Sequence, residues 1–169
     1  PNITAALNCT PAKRRRVYVG YSDEDAQKIL AVIDRESIKG KRDFAMVMLA
    51  HSTGLRSCDI LNLKFENIDW RTHEIRLIQE KTNVPLALPL DAATGNAIAE
   101  YILNGRPECD SEYVFIRTQH PYTRMLSFWQ IVAEYARRAL GTSRKMNGPH
   151  AFRRGMGRRL LEAGVPSPM

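Results

Sequence analysis

From Ser22 onward the hydrophobic positions change period twice, and those changes divide the chain. Ala26, Ile29, Leu30 and Ile33 have the spacing of one buried helical stripe. Ser22 precedes them and acidic residues fill 23–25, an N-cap followed by a first turn that complements the helix dipole. A second helix is predicted from about Arg42 to Ala50, carried by Phe44, Val47, Met48 and Leu49 and ended near Gly54. Ser52 or Ser57 is the expected cap of a short helix running through Ile60 and Leu61. At Ile68 the period shortens. Ile68 with Trp70, the run EIRLI at 74–78, and Val84, Leu86, Leu88 and Leu90 predict three short strands. Pro85 and Pro89 remove two ladder donors from the last, which assigns it to a sheet edge. Turns fall at 71–73 and 81–83, and Asn83 suits a positive φ.

Helical spacing returns after Asp91, a cap that places Ala97, Ile98, Tyr101 and Ile102 inward until Asn104 to Pro107 stop the helix. Residues 105–122 read as a loop around YVFI. Ser127 and Gln130 have capping-box spacing before Phe128, Ile131, Val132, Tyr135 and Leu140, and Gly141 ends that helix. After a polar loop, TSRKMNG, Pro149 opens a last helix that Gly164 ends. Phe152, Met156, Leu160 and Leu161 supply its packing face, while Arg154, Arg158 and Arg159 are expected toward solvent or a nearby polyanion. The pattern predicts a mainly α protein with a small antiparallel three-stranded β-sheet inserted between helices, an α+β fold.

Composition narrows the function classes. With 169 residues, 44% hydrophobic and 25% charged, the chain suits one domain with a sizeable core. A formal charge of +7 favours a polyanionic partner, nucleic acid before membrane. Residues 1–20 show no period and read as a linker; KRRR at 13–16 either touches phosphates or is simply solvated. Cys9, Cys58 and Cys109 are odd in number and far apart, without metal-ligand spacing, which argues against a disulfide framework or a zinc module and fits a reducing compartment. No apolar run approaches 18 residues, which argues against a membrane span and places the expected location in the cytoplasm.

Four charged positions share one chemistry. Arg56 follows a helix end, with Asp59 at i+3 able to hold it by a charge-assisted hydrogen bond. His150 and Arg153 stand three apart at a helix N-terminus, where unpaired N–H groups favour an anion. Lys81 sits at a hairpin tip. Each also has an ordinary reading: a solvated arginine, a histidine satisfied by a local carbonyl, a hairpin lysine in water. Together they match the needs of phosphodiester cleavage, in which two arginines and a histidine stabilise charge on the non-bridging oxygens and a lysine protonates the leaving alkoxide. No carboxylate cluster suggests a metal ion, and no cofactor is implied.

Three segments resemble the catalytic domain of the tyrosine recombinases, the phage integrase family: TGLRSCDILNL (53–63), EKT (80–82) on the strand pair, and GPHAFRRGMGRRLLEAGV (148–165). The resemblance spans roughly residues 20–169. It implies that Arg56, Lys81, His150 and Arg153 are catalytic and that Asp59 supports Arg56, in place of the more usual Glu. It implies double-stranded DNA as partner, a 3′-phosphotyrosyl intermediate formed without metal, and a tetramer on paired DNA sites. Residues 1–20 would be the tail of a linker from an N-terminal DNA-binding domain, and 21–169 part of a catalytic domain. The family's nucleophilic tyrosine follows the second box, whereas Tyr101, Tyr113, Tyr122 and Tyr135 all precede it and the sequence ends VPSPM. The expectation is therefore a catalytic domain truncated before its nucleophile and inactive alone. The alternative is a non-catalytic DNA-binding or regulatory module on the same scaffold.

Overall fold

The computed structural model describes residues 20–141 and 148–164; KRRR, nearly all of the expected linker, residues 142–147 of the polar loop, and VPSPM lie outside the described residues. The fold is built around α2 (Ile38–Thr53), whose Ala45, Met46, Val47, Leu49 and Ala50 are buried on almost every side. Around it lie α1 (Asp23–Ala31), α3 (Ser57–Leu61), α4 (Ala92–Asn104) and α6 (His150–Glu162), while α5 (Trp129–Leu140) packs on α1. The protein is mainly α with one small antiparallel sheet, the expected class.

Local caps account for several helix ends. Ser22 and Asp25 bond each other's backbone N–H at the start of α1. Asp91 accepts from the Thr94 N–H at 2.9 Å and starts α4. Ser37 accepts from the Gly40 N–H at 3.1 Å, so α2 begins at Ile38 rather than near Arg42; the added turn has one apolar residue, exposed Ile38, and no hydrophobic period to reveal it. Other expected caps do not form. Ser52 lies within α2 and Ser57 is already helical, so Arg56 is the N-cap of α3, without a side-chain cap bond. The Ser127–Gln130 box does not close, because α5 starts at Trp129 and buried Phe128 occupies the cap position. Pro149 stands at the N-cap of α6, one place before its expected first turn.

Strands β1 (Ile68–Asp69), β2 (Glu74–Ile78) and β3 (Pro85–Pro89) pair antiparallel in that order. Ile75 faces Leu88 and Leu77 faces Leu86, the apolar cross-strand pairs that fix register. The proline-bearing β3 is an edge strand, as its missing donors require. Asn83 takes the positive φ its turn needs, 51°.

Two surfaces differ from the sequence expectation. Leu160 and Leu161 are exposed rather than packed, so α6 docks through Ala151, Phe152 and, in part, Met156. Arg159 turns inward. It donates to the His51 carbonyl at 2.6 Å and pairs with Asp23 at 2.6 Å. Among the described residues, no helix is long and apolar enough to cross a membrane.

The interior also contains an ion pair. Arg42 donates to Asp43 Oδ1 from Nε (2.9 Å) and Nη2 (2.7 Å), and from Nη1 to the Ile116 carbonyl (3.2 Å). The Tyr135 hydroxyl donates to Asp43 Oδ2 at 3.0 Å. Burial raises the Asp43 carboxyl and Arg42 opposes it, while burial and Asp43 push the Tyr135 phenol up. This network ties α2 to α5 and to the loop carrying YVFI. Replacing Asp43→Ala strands a buried guanidinium and is expected to cost about 3–5 kcal/mol in urea unfolding. Removing the exposed Lys28–Glu24 pair by Lys28→Ala is expected to cost less than about 1 kcal/mol.

Candidate phosphate-binding site

The first segment of the site is shaped by the end of α2. Gly54 ends that helix with φ 63°, a left-handed conformation that a side chain would strain. Thr53 Oγ1 donates to the Leu49 carbonyl at 2.6 Å and accepts from the Leu55 N–H at 3.2 Å. Leu55 is buried, and Arg56 is extended before α3 turns the chain back. The chain thus passes from one helix to the next within three residues, and Arg56 leaves the corner with a side chain only 20% exposed.

Asp59 lies on the same turn, and its side chain has no exposed surface. Its Oδ2 stands 4.0 Å from Arg56 Nη1, an ion pair and not the hydrogen bond expected from the i, i+3 spacing. Asp59 Oδ1 is engaged elsewhere, accepting from the Glu80 N–H at 3.1 Å. Arg56 Nη1 and Asp59 Oδ2 are buried without a hydrogen-bond partner among the described residues. Beside them, burial and the Asp59 charge push the Cys58 thiol up.

The second segment is α6. Gly148 (φ 54°) precedes it, and a Cβ there would stand 2.4 Å from Trp129 Cδ1, so only glycine fits under that ring. His150 is the first helical residue and is exposed. One turn later Arg153 Nη1 donates to the Gly54 carbonyl at 2.9 Å, which seats it beside the Leu55 and Arg56 corner. Arg159 makes a second connection to α2, through the His51 carbonyl and, at 3.3 Å, its ring Nδ1. Burial, with Arg159 next, pushes the His51 imidazole pKa down.

The third segment is the β2–β3 turn, where Lys81 is exposed. The turn is closed by the Asn83 N–H on the Gln79 carbonyl (2.8 Å) and the Gln79 N–H on the Val84 carbonyl (2.9 Å). Through Glu80 and Asp59, Lys81 is one residue away from an anchor on α3. A cleft of about 290 Å³ opens between these segments, lined among others by Gly54, Leu55, Gln79, Leu88 and Arg153. Of the candidate residues, Arg56 and Asp59 are paired, Arg153 joins their corner, Lys81 is tethered through its neighbour, and His150 stands exposed one turn before Arg153. Asn62 and Glu80 lie within TGLRSCDILNL and EKT but have no role assigned from sequence, nor has Arg124; the three form a side-chain chain, in which Arg124 Nη1 donates to Asn62 Oδ1, and Asn62 Nδ2 to Glu80 Oε2. No periodic or local signal links them, because their partners are distant in sequence.

Residues 21–169 match the phage integrase family. A putative integrase/recombinase of Sinorhizobium fredii, y4gC, is 37% identical over 144 residues, which cover 85% of this chain and 75% of that protein. The tyrosine recombinase XerA of Pyrococcus furiosus is 29% identical over 147 residues, 85% of this chain and 48% of that protein. The structure of the Tn1549 transposon integrase in complex with transposon right end DNA superposes with a TM-score of 0.74 at 14% identity, over 90% of this chain and 56% of that one. The chain therefore spans three-quarters of y4gC and about half of the other two.

The burial of His51, with Arg159 beside it, gives stability a pH dependence of definite sign. Because the folded state lowers the His51 pKa below its ordinary 6.5, the fold favours the neutral ring. The unfolded chain then binds more protons near that pH, so stability is full above about pH 6.5 and falls as pH drops through it. Unfolding titrations at pH 7.5 and 5.5 are expected to show this loss, and His51→Gln to reduce it.

Proposed function

The chain belongs to the phage integrase family, and from that premise we propose that it forms part of the catalytic domain of a tyrosine recombinase, which breaks and rejoins double-stranded DNA. The observation that carries this reading is the Arg153 bond to the Gly54 carbonyl, which ties the second arginine to the corner two residues before Arg56; Arg153, Gly54 and Leu55 line one cleft, and Arg56 is not part of its lining. Residues 21–169 are read as the catalytic portion and 1–20 as the tail of a linker.

In this reading the two guanidiniums hold the non-bridging oxygens of one phosphodiester, and they stabilise the charge that accumulates there during attack. His150 adds a donor from the first turn of α6. Asp59 keeps Arg56 oriented. A tyrosine hydroxyl gives up its proton to solvent and its oxygen bonds to phosphorus as the bond from phosphorus to the 5′ oxygen breaks, and Lys81 gives that 5′ oxygen its proton. Reversal of the same steps religates the strand, with no external energy source. The reaction runs without metal or cofactor, in a tetramer assembled on paired DNA sites in the cytoplasm. The sequence has no tyrosine after Arg153, so the nucleophile in this scheme comes from outside these 169 residues. The same observation favours a second reading, a DNA-binding or regulatory module that keeps the recombinase scaffold without cutting.

Fluorescence anisotropy with a short duplex tests the binding component. Affinity is expected to fall steeply with salt, since phosphate contacts dominate. Arg56→Ala and Arg153→Ala are each expected to weaken binding roughly tenfold, the scale of one charge-assisted contact. Unchanged affinity in both variants would contradict the proposal. Incubated with a nicked suicide duplex, the 169-residue chain is expected to give no covalent adduct on a denaturing gel. An adduct would place the nucleophile among the tyrosines before the second box.

A further inference from the structure

Helix α3 grips the β2–β3 turn at two points. Asp59 accepts from the Glu80 N–H, and Asn62, three residues on and therefore on the same side, donates its amide to the Glu80 carboxylate. The other end of the Asn62 amide accepts from Arg124. A guanidinium only donates and an ionised carboxylate only accepts, so the amide between them fits in one orientation. Arg124 is itself held in place. Its guanidinium lies 5.7 Å from the Tyr113 ring centroid, and its backbone bridges to fully buried Ile116.

The turn is closed by its own bonds at Gln79 and anchored by Asp59, but it has little apolar support. The β2–β3 ladder ends at the Ile78–Pro85 pair, where proline has no N–H to give. Ile78 and Val84 are 65% and 52% exposed, so no core lies beneath the hairpin tip. Arg56 caps the start of α3 and Asn62 its end, so one short helix relates the arginine to the turn that carries Lys81.

We propose that Asn62 is a positioning residue: by joining Arg124 to Glu80 it fixes the β2–β3 turn and so sets where Lys81 stands relative to Arg56. The inference rests on the reading of Lys81 as the proton donor, which must lie within reach of the leaving oxygen.

Amide exchange and 15N relaxation on the 169-residue chain test it. Asn62→Asp keeps an acceptor for Arg124 but sets a carboxylate against Glu80. Glu80→Ala cuts the same tether from the hairpin side without altering α3. Both are expected to speed exchange at the Glu80 and Asn83 amides roughly tenfold, the weight of one hydrogen bond to a charged group, while exchange in α2 and α4 stays unchanged. Glu80→Gln retains an acceptor for Asn62 and is expected to behave as the unmodified chain. Unchanged turn amides in both variants, or equal acceleration in the helices, would overturn the proposal. The Lys81 side-chain resonance, followed as a duplex is added, tests the underlying reading separately. It is expected to shift in the unmodified chain and to shift less in Asn62→Asp. A Lys81 that ignores DNA while the turn amides still loosen would remove its role as proton donor and leave the tether standing.

Discussion

A carboxylate with no exposed surface, that of Asp59, is the constraint on which the site depends. Taking a charge out of water costs several kcal/mol unless partners replace the lost solvation. Asp59 offsets part of that cost from two parts of the chain: Oδ1 accepts from the Glu80 backbone N–H at 3.1 Å, while Oδ2 has the Arg56 guanidinium at 4.0 Å as an ion-pair partner but no hydrogen bond among the described residues. Each partner is thereby located by the other. The corner after α2 cannot move without unpairing the hairpin turn, and the turn cannot drift without leaving a buried oxygen unsatisfied. Helix α6 joins the same corner from its other side, through Arg153 on Gly54 and Arg159 on His51.

The arginines show how one residue type divides among roles. Arg42 is buried and bonded to Asp43 and a carbonyl, which makes it a structural cation. Arg159 is half-buried between α1, α2 and α6 and acts as a strut. Arg56 differs from both, because its Nη1 is buried at the site with an ion-pair partner but no hydrogen bond among the described residues. Arg56 Nη1 has no protein acceptor among those residues, whereas Arg42 and Arg159 direct their donors at carboxylates and carbonyls.

Much of the fold was legible because its signals are local. The helical stripe of Ala26, Ile29 and Leu30, the caps at Ser22 and Asp91, the prolines of β3 and the turn at Asn83 each act within a few residues, and each appears where expected; Ile33 is buried too, but beyond the end of α1. The expectations that failed depend on partners far along the chain. Arg159 turns inward because His51 lies 108 residues away in sequence and beside it in space. The Ser127 box gives way to a buried Phe128, since packing outweighs a cap. Leu160 and Leu161 have helical spacing but face outward, because spacing identifies a stripe without saying what covers it. At the site, residue types and spacing gave only a shared chemistry for Arg56, Lys81, His150 and Arg153. Their grouping came from resemblance, and the 4.0 Å separation of Arg56 from Asp59 was not legible at all.

The central claim is that the corner after α2 and the start of α6 address one phosphate. A crystal structure of the chain bound to duplex DNA tests it most directly. The expected result is one phosphate within hydrogen-bond distance of both the Arg56 and Arg153 guanidiniums and of a His150 ring nitrogen, with Lys81 Nζ directed at its 5′ oxygen. Contacts from these residues to different phosphates, or DNA lying on another face of the protein, would contradict the account.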